Sequence, residues 1–178
     1  MVGLSLTTVI LTPALLWVVV SDLLYRRISN RLVLALLLVW LCRTGWLLSQ
    51  PGAALTRSDL TTGILTGLAV LVVGYLLFSM RWMGAGDVKL MAVLSLWMGE
   101  QALTFLIVST LAGGVLALAM PLLKRIELLL ALGLLRFNIW LPKKRIPTPQ
   151  SLSAQPVHGI PYGLAIALGA AFVIWVRT

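Results

Sequence analysis

Acid is what this chain has least of. Among 178 residues there are five Asp and Glu, one His and one Cys, against fourteen Lys and Arg. A single cysteine excludes an internal disulfide, and no cysteine pair exists to build a zinc site; no metal and no cofactor is expected. Cys42 sits in the apolar run Val39-Trp40-Leu41-Cys42 and reads as a small buried hydrophobe. Charge of either sign is also scarce, at 11%, where a water-soluble fold carries roughly 25%. With 60% hydrophobic residues and a mean hydropathy of +1.03, polar surface is too sparse to cover a soluble particle. The fold class is therefore all-α, a polytopic membrane helix bundle. The net charge of +9 would suggest nucleic acid in a soluble protein. Here the basic residues are expected in cytoplasmic loops, where they hold orientation and meet anionic lipid, with no nucleic-acid partner.

What is present is a succession of apolar runs. A helix needs roughly 20 residues to cross a bilayer. Span one is expected from about residue 3 to Asp22, with Pro13 inside it, and reads as a retained helix rather than a removed signal peptide, because no basic leader precedes it. The basic turn Tyr25-Arg26-Arg27-Ile28-Ser29-Asn30-Arg31 follows, then span two from Leu32 to Leu48 and the loop Ser49-Gln50-Pro51-Gly52. Asp59 is placed to cap span three, which runs to about Met80 and carries Gly63 and Gly67 on one small-residue face. Span four, Met80 to Met98, is long enough only if Gly84–Gly86 lies at membrane depth. Span five is Ala102 to Leu123, with Gly113-Gly114 for packing, and the last span is Gly159 to Val176. Between them, residues 124–157 read as a cytoplasmic loop whose middle, Ile126 to Leu141, forms an interfacial helix. The seven tryptophans are expected near span ends or facing lipid. Residues 1–178 thus form one transmembrane domain of about six helices.

Six spans put three connecting regions on one side and both termini on the other. Those regions hold Arg26, Arg27, Arg31, Arg81, Lys89, Lys124, Arg125, Arg136, Lys143, Lys144 and Arg145, against Arg43, Arg57 and Arg177 opposite. The positive-inside rule makes the first side cytoplasmic and both termini periplasmic. Asp22 ends the first span and Asp87 begins the fourth, so both fall at the cytoplasmic face. Two carboxylates within a few ångströms tend to share one proton. The ionised member can then take a proton from water while the neutral one donates to a carbonyl, which hydrolyses a peptide. The competing reading is structural: Asp22 caps a helix, and Asp87 pairs with Arg81 or Lys89.

Gly84-Ala85-Gly86-Asp87-Val88-Lys89 resembles the GxGDxK motif of the type IV prepilin peptidases, membrane aspartyl proteases. Asp22 followed by Arg27-Ile28-Ser29-Asn30 resembles that family's first motif, although Ser29 stands where proline is usual. Ile160-Pro161-Tyr162-Gly163-Leu164-Ala165-Ile166-Ala167 resembles the stretch that opens the family's last helix. The resemblance implies that Asp22 and Asp87 are the catalytic pair, and that Gly84 and Gly86 give a substrate backbone access. It implies that Lys89 either tunes Asp87 or anchors the loop to lipid, and that a prepilin or pseudopilin is the substrate, cut at the cytoplasmic face of the bacterial inner membrane. Larger members carry a cysteine-paired cytoplasmic domain and methylate the new N-terminus. With one cysteine this chain resembles the short, peptidase-only branch, and methylation is expected to be absent. His158 reads as a loop bystander and Tyr162 as either a hydrogen-bonding neighbour of the site or an interface aromatic. The alternatives are a presenilin-like protease cutting within the bilayer, or a non-catalytic membrane assembly subunit.

Overall fold

The computed structural model describes residues 6–50, 57–139 and 161–176. Within them the chain is helical, without strands: α1 (Leu6–Tyr25), α2 (Asn30–Leu48), α3 (Arg57–Ser79), α4 (Ala85–Met98), a short 3-10 turn (Gly99–Gln101), α5 (Ala102–Leu118), α6 (Met120–Ile139) and α7 (Tyr162–Val176). Four stretches are long and apolar enough to cross a membrane: one each in α1, α2 and α3, and the composite of α4 and α5; α7 is apolar but shorter. The expected Lys143-Lys144-Arg145 loop and His158 lie outside the described residues.

The composite is not one rod. Gly99 has φ 58°, a backbone conformation that favours glycine, and beyond it the chain turns back so that α5 packs beside α4. At about 1.5 Å per residue, α4 is only about 21 Å long. It is short because it is surrounded: it packs against α2, α3, α5 and α7, and buries Leu90, Leu94 and Trp97 among others. A helix shielded by its neighbours need not reach both membrane faces.

Close backbone approach holds α3 against α4. A Cβ on Gly67 would stand 3.1 Å from the Ala92 carbonyl oxygen, and one on Gly63 3.3 Å from that of Leu96. One turn before the end of α3, Gly74 faces Val88, so the two helices run antiparallel. In a membrane, where lipid tails are as apolar as leucine, such small-residue contact is a main source of helix association. The expected Gly113-Gly114 pair divides: Gly113 lies under the Tyr162 ring, while Gly114 meets nothing.

Two tryptophans depart from the lipid-facing expectation. Trp40 and Trp97 are buried, and their indole N–H groups donate across the α2–α4 seam, Trp40 to the Leu96 carbonyl at 2.9 Å and Trp97 to the Leu36 carbonyl at 3.2 Å. A buried indole N–H requires such a partner. Trp17, Trp46, Trp82 and Trp175 are exposed as expected. Cys42 is exposed rather than buried, on the outward face of α2.

The helix ends follow local chemistry. After α3 the amide of Trp82 donates to the Leu77 carbonyl and that of Arg81 to Phe78, both at 2.9 Å, with Arg81 at φ 62°. This is a Schellman cap with arginine in the position glycine usually takes. Span five ends at Leu118 rather than Leu123, because Pro121 is tolerated only in the first turn of a new helix. Ala119 accepts from the amides of Leu122 and Leu123, and α6 starts there.

Candidate active site

Asp22 occupies the last turn of α1 and is 5% exposed. Arg26 ends that helix at φ 50°, and its amide donates to the carbonyl of Asp22 itself at 2.9 Å, a left-handed cap with the aspartate as its acceptor. The Asp22 carboxylate reaches α7, whose first amides have no partner within their own helix. Gly163 N–H donates to Oδ2 at 2.7 Å, and the Leu164 amide donates to the same carboxylate. A helix N-terminus is a natural seat for an anion. Gly163 is a glycine for a spatial reason: a Cβ there would stand 2.8 Å from that Oδ2.

Asp87 is the third residue of α4 after the N-cap Gly84, and its carboxylate accepts from the Gly84 amide. That is one half of a capping box. A Cβ on Gly84 would stand 2.8 Å from Asp87 Oδ2. The packing therefore brings the buried Asp22 of α1 and the half-buried Asp87 of α4 to one end of the bundle, within range of each other's charge. The end of α5 and the start of α7 meet there as well, through Gly113 and Tyr162.

The other expected site residues have local occupations. Gly86 faces Ile28 of the α1–α2 turn, with a Cβ placed 3.1 Å from the Ile28 Cβ, so this chain's own Ile28 takes up the space beside it. Lys89 is exposed and reaches α2, its Nζ 3.3 Å from Asn30 Oδ1, rather than turning to Asp87. The Tyr162 ring is half-buried on Gly113. Capping, the structural alternative for Asp22, is present in a form local sequence does not reveal, since the capped helix is α7.

Sequence reasoning passed over Glu127. It is 7% exposed on α6, pairs with the Arg26 guanidinium, and its charge reaches Asp22. The available signal was a lone acid after Lys124-Arg125, on a stripe with Leu123 and Ala131, both of them buried. Among the described residues no cluster of three His, Cys, Asp or Glu stands ready to hold a metal.

No curated protein and no solved structure matches the chain significantly. The model of the type IV leader peptidase family matches residues 9–118, a stretch that carries both aspartates, the Gly84–Lys89 motif and helices α1 to α5. With more than half of the sequence so matched, this membrane protein belongs to the type IV leader peptidase family.

Proposed function

We propose that the protein is an aspartic endopeptidase that removes the leader of prepilin-like proteins at the cytoplasmic face of the inner membrane, with Asp22 and Asp87 as its catalytic pair. The observation that carries this reading is that both carboxylates lie at one end of the bundle, within range of each other's charge. In the reaction, the ionised member of the pair takes a proton from water as the water oxygen attacks the scissile carbonyl carbon, and the neutral member donates its proton to the carbonyl oxygen. Collapse of the tetrahedral intermediate breaks the C–N bond, and the leaving nitrogen takes up a proton from the pair. Two carboxylates sharing one proton can perform each of these transfers in turn.

Arg26, Arg27, Arg31, Arg81 and Lys89 flank the aspartate end, while Arg43 lies over the Trp97 ring near the opposite end. The excess of cations supports a cytoplasmic position for the pair. A substrate's apolar helix would lie against the spans and deliver its leader junction just outside the bilayer.

The test is cleavage of a co-expressed prepilin with a basic leader ending in Gly before an apolar helix. Asp22→Asn and Asp87→Asn are each expected to lose about 10²–10⁴-fold in rate, the usual worth of a general acid or base. Processing at the wild-type rate in either variant sinks the reading. Because carboxylates activate the water in this mechanism, EDTA is expected to leave cleavage unchanged.

A further inference from the structure

The family match ends at Leu118, yet the helix that follows brings a buried charge to the candidate site. α6 turns Leu123, Glu127 and Ala131 inward and leaves Lys124, Arg125 and a run of leucines exposed. It packs on α1 and α5, and its one acid pairs with Arg26. Burying that pair is costly unless both charges are satisfied. The Arg26 amide N–H donates to the Asp22 carbonyl at 2.9 Å, and its guanidinium lies within range of the Asp22 carboxylate's charge. Its left-handed backbone, at φ 50°, is an uncommon choice for a residue with a side chain and requires support from its surroundings.

We propose that Glu127 and Arg26 are positioning residues for Asp22: α6 anchors the Arg26 guanidinium so that it holds the end of α1, and the aspartate on it, in the place where it faces Asp87. The inference rests on the Asp22–Asp87 reading above. Its physical content is that Glu127 acts through Arg26 and touches no reacting atom. Loss of its charge frees the guanidinium, and the end of α1 that carries Asp22 keeps the α7 amides but loses its support from α6. Catalysis is sensitive to such small displacements, whereas binding of a long apolar helix along the spans is not. The pair therefore governs turnover rather than substrate affinity.

The competing explanation is a staple that only keeps α6 attached, and the experiment separates the two. Full-length protein in detergent is assayed for kcat and KM on a prepilin-like peptide, beside Asp22→Asn and wild type. Glu127→Gln is expected to lower kcat by about tenfold or more while KM stays within about twofold. The exchange Arg26→Glu with Glu127→Arg restores an ion pair, and is expected to recover thermal stability but not kcat, because it sets a carboxylate beside Asp22. If Glu127→Gln does not accumulate as folded protein, Arg26→Lys decides the matter: it keeps the ion pair that attaches α6 but not the planar fork, and is expected to lower kcat with KM within about twofold, whereas a wild-type kcat there overturns the proposal. An unchanged kcat in Glu127→Gln, or full recovery of kcat by the exchange, overturns the proposal. A wild-type protein that fails to cleave, or Asp22→Asn that cleaves normally, overturns the underlying dyad reading instead.

Discussion

The amide nitrogen of Gly163 and the Oδ2 atom of Asp22 lie 2.7 Å apart, although 141 residues separate them in the chain. This contact joins the first turn of α7 to the last turn of α1 and fixes one of the two candidate catalytic carboxylates. Its closeness follows from the missing Cβ, since a methyl group at Gly163 would stand 2.8 Å from the same oxygen.

Gly163→Ala is accordingly expected to displace Asp22 and to cut leader processing by about 10²-fold, the sensitivity usual for an ångström-scale shift of a reacting group. The check is cleavage per folded molecule, with folding followed separately by thermal denaturation. Wild-type turnover in a folded Gly163→Ala protein contradicts the geometry described for Asp22.

Gly74 and Val88 form the tightest contact between α3 and α4 at the level of Asp87, where a Cβ on Gly74 would overlap the valine side chain. Gly74→Ala should cost about 1–3 kcal/mol by overpacking. Adding Val88→Ala makes room for the new methyl group, so the double variant should be more stable than the sum of the single effects implies. Strict additivity would show that the two residues do not touch.

Arg81 adopts φ 62° at the cap after α3, with its side chain exposed. Glycine holds that conformation without the cost that a side chain incurs, roughly 1–2 kcal/mol. Arg81→Gly should therefore leave thermal stability unchanged or raise it, despite removal of a surface charge. A fall in the unfolding midpoint would mean that the arginine side chain makes a stabilising contact.

Ser29 is the N-cap of α2, with φ −70° and ψ 123°. Proline fixes φ near that value, and an N-cap's own amide takes no part in the helix ladder. Ser29→Pro should stabilise the protein by about 0.4–1 kcal/mol through the unfolded chain. Chemical denaturation in detergent measures it, and a clear loss would place the Ser29 amide in a hydrogen bond.

The candidate pair was readable in the sequence because Asp22 and Asp87 are carboxylates at the edges of apolar runs, where each is expensive and conspicuous. Glu127 was equally rare but escaped notice. Its partner Arg26 is 101 residues away, and only the direction in which α6 leaves α5 brings them together. The break at Ala119 that sets this direction has Pro121 as its one signal in the sequence, since the apolar run around it continues to Leu123. Gly163 was legible as part of a motif, but its task as an amide donor to Asp22 was not.

Trp40, Trp97 and Cys42 mark the same boundary. The run Val39–Cys42 is apolar on every side, yet the structure turns Trp40 inward and leaves Cys42 outside. In water, hydrophobicity tells a helix which face to bury. Next to lipid it cannot, because an apolar side chain is at home against either a neighbouring helix or an acyl chain. Composition and run length by themselves determined that this is a helical membrane protein with Asp22 and Asp87 near helix ends. Which faces turn inward, and that α7 and α6 close upon Asp22, was decided only by tertiary packing. There the deciding forces are close backbone approach at glycines and the need of every buried polar group for a partner, and both depend on residues far apart in the chain.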